Sequence, residues 1–398
     1  MERLHPPAAP SAHTELTAAW RGEFPGLAAS TYLNTCSLSQ LSNRSRAAVN
    51  RFMDEWTRYG ASAWYELWMG ELAATRARFA RLINAQPHEI AILPSMGVAL
   101  SVIASSLDYA NRNQTARNQI VLNEMDFPTL PYQWMARTRQ GAEVAFLPTP
   151  DRVQVPLDAY AQAVNRQTAL IATTHVFFTS GWVQDIQAIA GLAHDQGALC
   201  LIDGYQAAGQ IPVDVKAAGV DVYLAGGLKW LLGGPGVVYM YVREELIPQL
   251  EPTTTGWFAA KNMFQFNREQ FDYAEDARRF EPGTPAVAAV YAGNAGMSII
   301  EEIGVATVQA RTAALVADLV QRLHTAGLSP RLPQDMARHA GIVALPVADP
   351  PHVVKTLAQT HNIIIDHRPG IVRLSPYFYN TEAENARLVE SLVEILGH

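Results

Sequence analysis

Between Ile90 and Val242 seven short apolar runs alternate with amphipathic stretches, and no other feature restricts the fold of this chain as much. The runs are IAIL, QIVL, EVAFL, ALIATT, ALCLID, DVYLAG and GVVYMYV. Each has the length and the β-branched or aromatic content of a buried strand. The stretches 97–108, 129–140, 156–165 and 185–196 have helical spacing instead. Such alternation predicts an α/β domain, a mostly parallel central sheet with helices on both faces. GGPG at 233–236 reads as a turn before the last strand. It has the spacing of neither a Walker loop nor a dinucleotide fingerprint, which argues against a nucleotide-binding dehydrogenase.

Around residue 290 the pattern changes. A helical repeat runs over 305–324, the short strands GIVALPV, IIID and IVRL follow, and a last helix covers 382–396. The chain therefore divides into an N-terminal segment (1–50), a large α/β domain (51–290) and a smaller α+β C-terminal domain (291–398). Helices are also expected over 42–60 and 64–82. Trp56, Tyr59, Trp64 and Trp68 recur there at near-helical spacing, for the core, a subunit interface or the mouth of a pocket. The first 13 residues are rich in proline and alanine and read as a loose arm.

A net charge of −7 supplies no basic footprint for nucleic acid. No apolar run reaches the length of a membrane span, and the N-terminus lacks the apolar core of a signal peptide. Cys36 and Cys200 are the only cysteines, so neither a disulfide framework nor a zinc cluster is expected. A cytoplasmic protein without a structural metal follows.

Ligands of parallel α/β sheets bind at the carboxyl ends of the strands. ALCLID ends on Asp203, and DVYLAG ends on Gly226 with Lys229 just beyond. A carboxylate and a lysine should therefore face one crevice. A lysine amine can form a Schiff base with an aldehyde cofactor. A carboxylate can keep the pyridine nitrogen of pyridoxal phosphate (PLP) protonated. Taken singly, the two residues read as a surface lysine and a helix-capping aspartate. Ser95, Met96 and Gly97 lie between a strand and a helix, where backbone N–H groups and the helix dipole favour a phosphate. The same serine also suits a plain N-cap.

The stretch IDGYQAAGQIPVDVKAAGVDVYLAGGLKWLLGGPGVVYMYV resembles the signature of the class V aminotransferase family of PLP enzymes, fold type I. That family includes cysteine desulfurases, kynureninases and isopenicillin-N-epimerase-like proteins. Further matches run from TYLNTCSLSQLS near position 31 to VRLSPYFYN near 372. The resemblance implies that Lys229 carries the cofactor and that Asp203 holds its ring nitrogen. Gln206 would lie near the phenolic oxygen. Phe127, in NEMDFPTLPYQW, would stack on the ring, unless it is a core residue; Leu130 replaces an aspartate of the family. Trp257 and Thr284 match segments that reach a partner's cofactor, which implies a homodimer with composite sites. Arg373 matches an arginine that clamps the substrate carboxylate, with a surface salt bridge as the alternative and Arg279 as the next candidate. Thr174 and His175 fall near the crevice, and Asp185 suits a helix cap.

Two departures matter. The family resemblance implies a serine three residues before the lysine and a histidine or tyrosine just before it, both for phosphate. This chain has Gly226 and Leu228. Phosphate contacts then come from backbone groups, Ser95 or a neighbouring subunit. No cysteine occupies the loop shortly before Arg373, where desulfurases keep a persulfide nucleophile. A sulfur-carrying desulfurase of the usual type is not expected. The resemblance points to an enzyme acting on a free α-amino acid through an external aldimine. Kynureninase-like or C–S-lyase-like side-chain cleavage is favoured. Transamination or epimerisation at Cα, and a non-catalytic PLP-fold binding protein, are the alternatives.

Overall fold

The computed structural model describes residues 12–109 and 117–397. Residues 1–11 of the expected arm lie outside the described residues; from Ala12 a helix runs to Trp20. A two-residue strand, β1 (Thr31–Tyr32), follows. The seven apolar runs then form β2 (Ile90–Leu93), β3 (Gln119–Asn123), β4 (Glu143–Leu147), β5 (Thr168–Thr174), β6 (Leu199–Asp203), β7 (Val222–Gly226) and β8 (Val238–Val242). They make one sheet in the order β2-β8-β7-β6-β5-β3-β4. The pairings among β4, β3, β5, β6 and β7 are parallel, and β8 runs antiparallel to β2 and β7.

Alternate residues of these strands enter two cores, which is why the strands read as unbroken apolar runs. Leu170, Leu201, Leu224 and Met240 face helix Met96–Ser105. Ile171, Cys200, Tyr223 and Tyr239 face the other side, with Phe79 and Ile189. Burying each leucine of this kind contributes roughly 1.5–3 kcal/mol. The α/β expectation therefore holds, helices on both faces included.

The C-terminal part forms a three-stranded antiparallel sheet, order β11-β12-β9, from β9 (Val343–Pro346), β11 (Asp366–Arg368) and β12 (Ile371–Leu374). Helices Val305–Thr325, Pro350–Thr360 and Glu382–Leu396 flank it. The strand β10 (Ile363–Ile364) pairs with β1 in parallel, and Ser375 N–H donates to Leu33 O at 2.8 Å. The loop after β1, which carries Cys36 and Ser37, is thereby fixed against β12.

One long helix was not expected. Val287–Ile303 runs unbroken across residue 290 and packs on helices Asn43–Tyr59 and Met69–Leu82. Its residues are apolar or small almost all round, so it lacks the polar stripe that reveals a helix in a sequence. Gly296 is needed there: a Cβ would lie 2.5 Å from the carbonyl oxygens of Leu231 and Leu232. The expected helix over 129–140 is shorter, Thr129–Met135, with a separate 3-10 turn at Thr138–Gln140. The tryptophans divide: Trp68 is buried beside Phe52 and Tyr291, whereas Trp56 is exposed.

Candidate active site

The chain steps outward from β3 to β4, then returns to β5 and proceeds through β6 to β7. A crevice opens where the direction reverses, at the carboxyl ends of the strands. A cavity of about 320 Å³ lies there, lined in part by Met96, Phe127, Thr174, Asp203, Tyr205, Gln206, Lys229 and Arg368.

Asp203 ends β6. Its Oδ1 accepts the Tyr205 N–H at 2.9 Å, and no hydrogen bond reaches its other oxygen among the described residues. Burial pushes the carboxyl up to about 6, against the opposing pull of that N–H and of Lys229. Lys229 stands in the turn after β7. Burial brings its amine down to about 8, and Arg373 and Arg368 push in the same direction, while Cys36 and Asp203 oppose. Nζ lies 5.8 Å from the Phe127 ring centre and 5.0 Å from that of Tyr205. Among the described residues it has no ion pair or hydrogen bond.

Phe127 is held over the crevice by an aspartate that sequence reasoning missed. Asp126 accepts N–H bonds from Asn123 and Thr174, both at 3.0 Å, and the Thr173 hydroxyl at 3.2 Å. Burial raises its carboxyl to about 7 despite those bonds. The turn after β3 is thus pinned to the end of β5, and Phe127 rests edge-on against Phe178 at 5.2 Å. The available signal was Asn123, whose Oδ1 accepts the Met125 N–H at 2.8 Å in an Asx turn three residues before Asp126. Leu130 is buried in the core.

Ser95 caps helix Met96–Ser105, its hydroxyl accepting the Val98 N–H at 3.3 Å. Met96 lines the cavity, while Ser95 is exposed and Gly97 half-buried. Gln206 also lines it, but its amide is anchored: Nε2 donates to Cys36 O at 2.9 Å, and Oε1 accepts the Trp230 indole N–H at 2.7 Å. Only one N–H of this side chain remains for a cofactor oxygen. His175 is turned away, its Nδ1 3.0 Å from the Tyr223 hydroxyl, and burial lowers it to about 4. Asp185 caps helix Ile186–Asp195 through the Ala188 N–H at 3.0 Å.

At the arginine end of the cavity the side chains form a cluster. Arg373 is 1% exposed and already engaged. Its Nη1 donates to Phe178 O at 2.9 Å, and its Nη2 to Ser37 Oγ at 2.8 Å and to Asp366. Arg368, two residues beyond Asp366 on the same face of β11, lines the cavity and bonds Asp366 at 2.7 Å through Nη1. Burial opposes it, but Arg373, Ser37 and Arg368 hold the Asp366 carboxyl below its usual range. The cluster carries one net positive charge, suited to one anion. Segments 31–40 and 366–380 are candidate pocket loops from sequence, but Asp366, Arg368 and Ser37 are not singled out within them, because a hairpin register, Asp366 opposite Arg373, and the anchoring of the loop after β1 on Ser375 bring them together.

Arg279 is spent on the carbonyls of Ala274 and Ile247, at 2.9 and 2.6 Å, which makes it a loop brace. Trp257 and Thr284 are exposed and do not line the cavity of their own chain. Cys36 lines the cavity and is fully buried; Cys200 is buried within β6. Among the described residues no single helix is long and apolar enough to cross a membrane.

A lysine amine and a buried carboxylate at adjacent strand ends, under an aromatic ring, define a PLP-dependent enzyme of fold type I. Residues 32–388 match the aminotransferase class-V family. The chain is 36% identical over 376 residues to an uncharacterized aminotransferase, YcbU, of Bacillus subtilis, covering 94% of this chain and 96% of that one. It is 27% identical over 330 residues to a kynureninase of Pseudomonas fluorescens, covering 80% and 77%. A cysteine desulfurase from Thermococcus onnurineus superposes over 100% of both chains with a TM-score of 0.85 at 21% identity. A cystine C–S lyase in complex with cysteine persulfide does so over 93% and 99%, with a TM-score of 0.84 at 22% identity. The chain belongs to the class V aminotransferase family, and its cofactor is pyridoxal 5'-phosphate. The donor set fits that group: Asp203 has an unbonded oxygen for a pyridinium N–H, Lys229 an unpartnered amine, and Phe127 a ring face over the cavity.

Proposed function

We propose that this enzyme acts on a free α-amino acid and cleaves its side chain, as a C–S lyase or a kynureninase-like enzyme. The observation that carries this reading is the spacing of charge along one cavity. An unpartnered amine, Lys229, shares the cavity with Asp203 and Arg368, and the charges of Asp203, Arg368 and Arg373 all act on it. When bound, PLP supplies the electron sink for bonds made or broken at the substrate. Asp203, ionised, keeps the ring nitrogen protonated. Lys229, with an amine near neutrality, takes the Cα proton and returns a proton to the leaving part. Phe127 covers the ring and excludes water, and the arginine cluster orients the carboxylate.

Transamination and epimerisation begin with the same Cα proton loss, so products separate the readings. Holoenzyme is incubated with L-cystine, L-cysteine and L-kynurenine, and sulfide, pyruvate, alanine and keto acids are quantified. Side-chain cleavage products are the expected result. A stoichiometric keto acid formed with an amino acceptor, without cleavage, would make it a transaminase. The Cys36→Ser/Cys200→Ala double variant should keep most of the wild-type turnover. Desulfuration through an enzyme persulfide needs a reachable thiolate. Cys36 lines the cavity, but its backbone is held by Ser375 Oγ at 3.1 Å and by Gln206, so it does not ride on a free loop that could carry sulfur away. A trapped persulfide on Cys36, with a dead double variant, would return the desulfurase reading to first place.

The same reading includes a homodimer that completes the site. Support comes from exposed aromatics: Trp257 stacks on Phe266 at 6.0 Å, and Phe264 meets Tyr65 at 5.1 Å. Such a patch calls for a cover. Sedimentation of the holoenzyme should give twice the chain mass; an active monomer would sink the proposal. Two unpaired cysteines agree with a cytoplasmic location.

A further inference from the structure

The phosphate of the cofactor lacks two side-chain donors that the family resemblance implies, because Gly226 and Leu228 stand in their places. The space at Gly226 is not empty. A Cβ added there would lie 1.7 Å from Tyr205 Cζ and 2.0 Å from the Tyr205 hydroxyl oxygen. The backbone of Gly226 has no positive φ, so this glycine is required for room and not for conformation. No side chain fits at 226 while Tyr205 keeps its position.

Tyr205 follows Asp203 by two residues, and its N–H is the group that Asp203 Oδ1 accepts. One tight turn therefore sets both the carboxylate and the phenol ring. The ring lines the cavity beneath Lys229 Nζ. The hydroxyl has no hydrogen-bond partner among the described residues, although the side chain is largely enclosed. Burial, aided by Asp203, raises the phenol above its ordinary value, so it stays a donor at any working pH.

Sheet order sets its direction relative to the ring-nitrogen site. Asp203 ends β6 and Gly226 ends the neighbouring β7. Helix Met96–Ser105 starts after β2 and packs across β2, β8 and β7. Met96, at its first turn, and Tyr205 pack on the same side of the sheet and line the same cavity. The Tyr205 ring thus shares its cavity, and its side of the sheet, with a helix N-terminus whose N–H groups favour an anion.

We propose that Tyr205 is a phosphate-binding residue: its hydroxyl donates to a phosphate oxygen of the cofactor, in the space where Gly226 has no side chain. The proposal rests on PLP being bound with its ring nitrogen at Asp203. It also replaces the expectation that backbone groups, Ser95 or a partner subunit supply the missing contacts alone.

The test compares PLP with pyridoxal, which lacks the phosphate, on apoenzyme. Dissociation constants are read from the visible absorbance of the bound cofactor. Tyr205→Phe removes only the hydroxyl and keeps the packing over Gly226. A hydrogen bond to a charged group predicts a rise of about 10- to 100-fold in the Kd for PLP. The Kd for pyridoxal should stay unchanged. In Tyr205→Ala the space beside residue 226 opens, and Tyr205→Ala/Gly226→Ser should recover most of the PLP affinity lost in Tyr205→Ala. Equal changes for PLP and pyridoxal, or no change for PLP, would overturn the assignment while leaving the cofactor reading intact. Wild-type apoenzyme that binds pyridoxal and PLP equally well would also overturn it, and wild type that binds neither would overturn the cofactor reading with it.

Discussion

Lys229→Ala is expected to fold normally, to hold no covalently attached cofactor and to lose turnover by a factor on the order of 10⁴ or more. The lysine serves as attachment point and as proton carrier, and proton transfer by a placed side chain alone contributes about 10²- to 10⁴-fold. The fold should survive because Nζ makes no hydrogen bond or ion pair among the described residues, and removing a desolvated amine orphans no partner. Borohydride reduction of wild-type holoenzyme followed by peptide mass analysis is the check. The adduct should map to the peptide containing Lys229; an adduct elsewhere would refute the assignment. The amine also predicts a pH course. It is brought down to about 8 by burial, so the neutral, reactive form grows as pH rises through 8. Cofactor capture by apoenzyme should accelerate by about tenfold between about pH 7 and 9 and then level off, whereas with an unshifted lysine it would keep rising about tenfold per pH unit up to about pH 10.

Asp203→Ala is expected to lower turnover by about 10²- to 10³-fold at saturating PLP, the range found when one preorganised electrostatic partner is removed. Soluble yield should fall far less. The substitution gives up one hydrogen bond, to the Tyr205 N–H at 2.9 Å, and a buried charge that is itself costly. Asp203→Asn separates the two contributions, since the amide oxygen can still accept that N–H while the charge is gone. Turnover near wild type in both variants would contradict the role. The sign of the pH effect follows from a carboxyl raised to about 6. Below that value apo-Asp203 gains a proton and loses its charge, so cofactor uptake should weaken as pH falls through 6.

The strand ends were legible because their signal is local. An apolar run closes on Asp203, another on Gly226, and the rules of parallel sheets put both ends on one edge. The C-terminal helix Glu382–Leu396 was legible for the same reason, with Thr381 and Glu384 forming a capping box at its start. Helix Val287–Ile303 was not, since a helix buried on nearly every side carries no amphipathic period.

The chemistry of the cavity divides in a similar way. By itself the sequence determined the sheet, the edge on which ligands bind, and the presence there of one lysine and one aspartate. Periodicity and strand length carry that information within a few residues. Only the tertiary structure decided how these groups are surrounded. It tied Gln206 to Cys36, 170 positions away, and Arg373 to Ser37, 336 positions away. It set Arg368 at the cavity wall in place of the more deeply buried Arg373, and filled the space at Gly226 with Tyr205. Those facts depend on which distant side chains share a volume, and close packing settles that only when the whole chain is folded.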